Sequence, residues 1–249
     1  MTPYMMLIRS ALFFLYFIVV SAIIYIGALP TLLLPPRFTV AASRLWSRAV
    51  FFGARTIVGE VFEIRGVPPK QGVLVASKHM SMWDTMALYL ALYRPAAVLK
   101  RELLRIPFYG WYIAKCGIIA IDRGGHASAL RKMAADARAV FTTGRSVLIF
   151  PEGHRQLPGA APDYKPGVAG LYSQLDAPCV PVALNSGLFW TGPLGFFKKP
   201  GKMVLEFLEP IPPGLKRQEF MATLESRIET ATKALLDEGR KALAAKGLA

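Results

Sequence analysis

From Ala11 to Leu29 the chain reads ALFFLYFIVVSAIIYIGAL, nineteen residues without a charged side chain. The uncharged stretch is wider still, since nothing between Arg9 and Arg37 carries a charge. As a helix the nineteen residues would extend about 28 Å at about 1.5 Å per residue. A bilayer core is about 30 Å thick, so the segment can just span it. A cleaved leader would have a shorter apolar core and a small-residue cleavage site. Here the apolar run continues through Leu32–Leu34 instead. Pro30, Pro35 and Pro36 interrupt it, so a half-inserted helical hairpin stands beside a true span as a way to embed it. The reading is a retained membrane segment.

The next segment, Thr39–Ile57, reads as a helix lying in the membrane plane. On a wheel of 100° per residue, Arg37, Arg44, Arg48 and Arg55 fall within about 40° of one another, and residues 1–59 contain no Asp or Glu. A narrow arginine stripe on an apolar helix suits anionic headgroups. Residues 1–58 are therefore expected to form the anchor, with residues 59–249 as the domain that follows it. More positive charge follows the apolar run than precedes it, which favours a cytoplasmic body. The whole chain has 249 residues, 53% of them hydrophobic, and a net charge of +14. That excludes intrinsic disorder and calls for an anionic partner.

Beyond Val58 the pattern alternates. Short β-rich runs fall at Val58–Ile64, Val73–Ser77, Ala96–Leu99, Ile118–Ile121, Val147–Phe150, Cys179–Leu184 and Met203–Leu208. Helical patterns lie between them at Trp83–Tyr93, Glu102–Ala114, Ala127–Phe141 and Lys165–Gln174, and an amphipathic helix closes the chain. The expected fold class is α/β: a mostly parallel or mixed sheet flanked by helices, preceded by a membrane-embedded helical segment.

Three clusters of chemistry-bearing residues follow strand ends, where α/β sheets bind ligands. The first is SKHMSMWD. His79 and Asp84 would stand 140° apart on a continuous helix, so a turn must intervene for them to meet. Ser81 followed by Asp84 reads as a capping box, which would aim the carboxylate back at His79. Asp84 could then fix the imidazole tautomer while the other nitrogen takes a proton. The second cluster, LKRELLRIPFYGW followed by GIIAIDRG, gathers Lys100, Arg101, Arg105, Lys115 and Arg123 around apolar positions. The third, FPEGHR, puts Glu152, Gly153 and Arg155 in a tight turn. A groove cationic at its edge and apolar within suits a ligand with a phosphate at one end and a chain at the other. Cys116 and Cys179 are the two cysteines and form no C-x-x-C, so neither a disulfide framework nor a cysteine-ligated zinc site is expected.

With these clusters in order, residues 60–210 resemble the glycerolipid acyltransferases, most closely the bacterial lysophosphatidic acid acyltransferases. The motifs stand here as His79 and Asp84; Lys100 to Trp111 with Pro107 and Gly110, then Arg123; Phe150-Pro151-Glu152-Gly153 with Arg155; and Val180-Pro181-Val182. One departure is His154, where the family has Thr or Gly; it is expected to neighbour the acceptor site.

The resemblance implies that His79 is the general base, oriented by Asp84. It implies that Arg155, with Lys100, Arg101 or Arg123, holds a phosphate. Glu152 would either bond the acceptor or tie down its turn. The co-substrate would be acyl-CoA or acyl-acyl-carrier-protein, with no cofactor and no metal. The partners would be a lysophospholipid, the membrane's anionic headgroups and possibly acyl carrier protein, but no nucleic acid. The expected reaction acylates the sn-2 hydroxyl of lysophosphatidic acid to give phosphatidic acid; the alternative acceptor is another lysolipid such as lyso-ornithine lipid. Rival classes fare worse. There is no G-x-S-x-G, and Gly195 to Gly201-Lys202 misses the P-loop spacing by one residue. No nucleic-acid-reading motif is visible, and a basic membrane-bound adaptor leaves the His79–Asp84 pair unexplained.

Overall fold

The computed structural model describes residues 3–70, 72–122, 126–191 and 195–248. Its centre is a seven-stranded sheet in the order β1-β9-β6-β2-β5-β3-β4. The strands are β1 (Glu60–Arg65), β2 (Leu74–Ser77), β3 (Ala96–Lys100), β4 (Ile119–Ile121), β5 (Val147–Ile149), β6 (Cys179–Leu184) and β9 (Gly201–Phe207). From β6 to β4 every pairing is parallel; β9 runs antiparallel to β6, and β1 pairs parallel with β9. A two-residue pair, β7 (Trp190–Thr191) with β8 (Phe197–Lys198), lies apart from the sheet.

Parallel strands need helical crossovers, and the crossovers bury both faces. β2 is accordingly buried at every position, and its alternate side chains feed two cores. Val75 joins the core of α1 (Pro3–Gly27), α2 (Pro36–Gly53) and α3 (Met82–Ala91). Leu74 and Ala76 join that of α5 (His126–Phe141), α6 (Gly167–Leu175) and the first half of α7 (Arg217–Ala244). This alternation continues past the strand end, because the Lys78 N–H still donates to the Val182 carbonyl at 3.0 Å. Lys78 and His79 therefore leave the sheet toward opposite faces.

Two expectations are corrected. The helix expected over Glu102–Ala114 is a 3-10 turn at Arg101–Arg105, a kink, and then α4 (Tyr109–Lys115). Pro107 causes the break: it has no N–H to give, and it disfavours helical backbone at the residue before it. The arginine stripe on α2 is also not uniform. Arg44 turns inward and donates to the carbonyls of Leu90 (2.8 Å) and Leu92 (3.3 Å), the unsatisfied end of α3. Arg37, Arg48 and Arg55 are exposed. Arg44→Ala should therefore cost about 1–3 kcal/mol of stability, read as a fall in Tm. Arg48→Gln should leave Tm in place and weaken binding to anionic vesicles by about 1 kcal/mol.

α1 is the one helix among the described residues long and apolar enough to cross a membrane by length and composition, over Tyr4–Gly27 with mean hydropathy 2.4. One face of it is fastened to the rest of the chain along its length. The Lys198 N–H donates to Ser10 Oγ (3.0 Å), Tyr16 Oη donates to the Ala49 carbonyl (2.8 Å), Trp46 Nε1 donates to Ser21 Oγ (2.9 Å), and Tyr112 Oη donates to the Tyr25 carbonyl (2.6 Å). Phe13 packs edge-on against Trp190, and the Lys198 ammonium lies over both rings. The opposite face, with Leu12, Leu15, Val19, Ile23 and Ile26, is exposed.

Candidate active site

The carboxyl ends of β2, β5, β3 and β4 converge on one edge of the sheet, and the loops leaving them carry the sequence clusters. Ser81 caps α3 in an extended conformation and Asp84 occupies its third position, so the capping box forms. Its consequence is the geometry expected from the spacing: Asp84 Oδ2 lies 2.9 Å from His79 Nδ1. The carboxylate is fully buried and saturated with donors. Oδ2 also receives the backbone N–H groups of Met80 (2.6 Å) and Ser81 (2.8 Å), and Oδ1 receives Ser186 Oγ at 2.5 Å. Ser81 Oγ in turn reaches Ser186 Oγ at 2.8 Å. A carboxylate can only accept, so Nδ1 carries the proton and Nε2 is left for a ligand. The imidazole is further fixed by stacking on Phe150, ring centroids 4.0 Å apart.

His79 lines a cleft of about 640 Å³. Its wall is apolar, with Val98, Leu103, Met133, Ile149 and Phe150, and Lys100, His154, Arg155 and Lys165 stand at its polar part together with Asp122. Gly153 contributes to the lining at φ +72°, a conformation glycine adopts without strain. Arg155 also lines a second cleft, about 950 Å³, formed with Met80, Leu188, Trp190, Arg240 and Leu243. One residue thus lines both cavities. Arg101 is not brought to either cleft; it is exposed, 3.7 Å from Asp122. Arg123 and the His126 side chain lie outside the described residues.

Glu152 has a different setting from the other residues of its cluster. Its side chain is 1% exposed and Oε1 accepts from Lys78 Nζ at 2.6 Å. Lys78, equally buried, also donates to Glu229 Oε1 of α7 at 2.8 Å, and Tyr164 Oη donates to the same oxygen at 2.9 Å. Burial raises the Glu152 carboxyl above the ordinary carboxylate range, with the Lys78 ammonium opposing the rise. Burial also holds the Tyr164 phenol far above its usual value, so it remains a donor. Glu152 is thus linked through Lys78 to the end of β2 and to α7, and it is not among the residues that line the cleft.

Sequence reasoning missed Lys78, Phe150 as the stacking partner, Ser186 and Glu229. Lys78 directly precedes His79, and strand alternation pointed it to the opposite face. Ser186 and Glu229 carry no local signal; they arrive from β6 and from α7.

An α/β sheet here carries a buried carboxylate behind a histidine at the mouth of a cationic and apolar cleft, an arrangement that can set a general base against a ligand with an anionic head and an apolar chain. The chain matches the Acyltransferase family over residues 60–185 and belongs to it. It is 36% identical over 159 residues to the 1-acyl-sn-glycerol-3-phosphate acyltransferase of Pseudomonas aeruginosa, covering 63% of this chain and 61% of that protein. It is 31% identical over 169 residues to the 1-acyl-sn-glycerol-3-phosphate acyltransferase alpha of Mus musculus, covering 66% and 59%. The alignments thus span about three fifths of the length of these curated relatives. Its fold matches the crystal structure of the 1-acyl-sn-glycerophosphate (LPA) acyltransferase PlsC from Thermotoga maritima with a TM-score of 0.75, covering 92% of this chain and 96% of that one at 21% identity.

Proposed function

We propose that this chain transfers an acyl group from an acyl thioester, acyl-CoA or acyl-acyl-carrier-protein, to the free sn-2 hydroxyl of lysophosphatidic acid. The observation that carries the reading is the His79–Asp84 pair, 2.9 Å apart at the cleft. Nε2 removes the hydroxyl proton as the oxygen attacks the thioester carbonyl. The C–S bond then breaks, and the proton returns from His79 to the departing thiolate. Asp84 stabilises the imidazolium between those two transfers and never needs to take the proton itself. The acceptor is the nucleophile, so no covalent acyl-enzyme is required. Arg155 and Lys100 bind the phosphate, and the apolar wall takes the chain. The relatives named above carry this acceptor in their names.

Arg155→Ala tests the acceptor. A charge-assisted hydrogen bond is worth about 1.5–3 kcal/mol, so KM for lysophosphatidate should rise about ten- to over a hundredfold. An acceptor without phosphate, such as lyso-ornithine lipid, should respond much less. Wild-type preference for the phosphate-free acceptor would assign the site to that lipid instead, with His154 beside its carboxylate.

α1 is best read as lying in the plane of the membrane, half-inserted. Its contacts with the body run from Ser10 to Tyr25, about 22 Å at about 1.5 Å per residue. A transverse α1 would draw Lys198, tied to it through Ser10 and Phe13, toward the hydrocarbon. The exposed apolar face enters the bilayer, and the body rests on the surface that supplies the acceptor. The side proposed is the cytoplasmic face of the bacterial inner membrane, where acyl thioesters are available.

A further inference from the structure

Between β3 and α4 the chain makes a knuckle that neither the sheet nor the His79–Asp84 pair requires. The Tyr109 N–H donates to the Pro107 carbonyl at 2.7 Å, and Phe108 between them sits at φ +61°, ψ −64°. That is the rare, strained form of the three-residue γ-turn, unfavourable for any residue with a side chain. Gly110 lets the turn close, because a Cβ there would lie 2.2 Å from the Leu104 carbonyl oxygen. The strained turn holds apolar groups outward: Ile106 is 45% exposed, Phe108 42% and Trp111 51%. The Phe108 and Trp111 rings lie 5.2 Å apart and form one patch.

Three observations indicate what covers it. The patch continues the proposed membrane face: α4 packs on α2 and on the turn at Leu29–Leu32, Tyr112 is bonded to Tyr25 of α1, and the adjoining Leu33 and Leu34 are exposed. Its exposed flanks are net positive, Lys100, Arg101 and Arg105 against Glu102 and Asp122, which is the sign that anionic lipid attracts. Its composition is interfacial, since Trp favours the boundary between headgroups and chains. At its base, Lys100 and Leu103 line the cleft that holds His79.

We infer that the Ile106–Trp111 knuckle is a membrane-inserting wedge that dips into an anionic bilayer beside α1 and α2 and seats the mouth of the cleft on the lipid. The claim about the cleft rests on the proposed acceptor; the claim about insertion does not.

Cys116 and Cys179 are buried, so a cysteine placed at Ile106 can be labelled with an environment-sensitive nitrobenzoxadiazole. With vesicles of phosphatidylglycerol and phosphatidylethanolamine, its emission should rise several-fold. Lipid nitroxides placed in the acyl chains should quench it, and it should lose access to aqueous iodide. A label at the exposed Thr142 should change little. A label at 106 that stays open to iodide on vesicle-bound protein would overturn the insertion. So would emission that rises with protein concentration in the absence of lipid, which would mean that a second copy covers the patch.

Phe108→Gly tests the link to the cleft without endangering the fold, since glycine accepts the positive φ. Transfer to a lysophosphatidate embedded in vesicles should fall about tenfold or more, the factor for one lost buried aromatic ring. Transfer to the same headgroup on a short, monodisperse chain should be unchanged. Equal losses on both would make Phe108 part of the cleft and overturn the wedge. No transfer by the wild type in either format would overturn the acceptor assignment alone, and the label at 106 would still report insertion.

Discussion

Replacing His79 by alanine is expected to lower turnover by about 10²- to 10⁴-fold, the usual contribution of a positioned general base, with vesicle binding retained. His79 takes no part in the bonds that fasten α1, which run through Ser10, Tyr16, Ser21 and Tyr25. Asp84→Asn should be severely impaired as well. An amide at that position could donate to Nδ1 and favour the wrong tautomer. It would also replace an oxygen that now receives three donors, from His79, Met80 and Ser81. Steady-state transfer from a labelled acyl thioester, beside vesicle sedimentation, checks both variants. Near-normal transfer by His79→Ala would remove the proposed base.

Lys78→Met should be the most destabilising single change at the back of the site. It would leave Glu152, 1% exposed, and Glu229, 26% exposed, facing one another without the cation between them. Removing one partner of a buried ion pair costs about 3–5 kcal/mol, because the remaining charge is uncompensated. For a chain of this size that corresponds to a fall in Tm of about 6–20 °C. The double variant Lys78→Met, Glu152→Leu removes the stranded charge and should recover most of the loss, since Glu229 keeps access to water. Thermal unfolding of the single and double variants checks this. A double variant no more stable than Lys78→Met would show that packing, not charge, holds the FPEG turn to β2 and α7.

Local pattern carried far in this chain. The strands that read as β-rich runs form the sheet because parallel strands are buried on both faces and so stay apolar throughout, as β2 and β6 are. The capping box at Ser81 and Asp84 needed only four consecutive residues, and it alone turns the carboxylate toward His79. The expected helix over Glu102–Ala114 failed because its periodicity outweighed Pro107 in the reading, whereas in the fold the proline ended the helical path.

The split between sequence and tertiary structure follows the range of the forces. Sequence by itself determined the apolar segment, the α/β alternation, the His79–Asp84 pairing and the residues that flank it, since each depends on neighbours within a few positions. Tertiary structure decided the rest. It brought Ser186 from the end of β6 onto Asp84 and Glu229 from α7 onto Lys78, and it turned Glu152 away from the cleft. It placed Arg155 between two cavities, drew Arg44 out of the lipid-facing stripe, and laid α1 along the body. These are contacts between residues from 25 to 188 positions apart, and their partners are chosen by which faces of the sheet the crossovers cover. No short stretch of sequence records that choice.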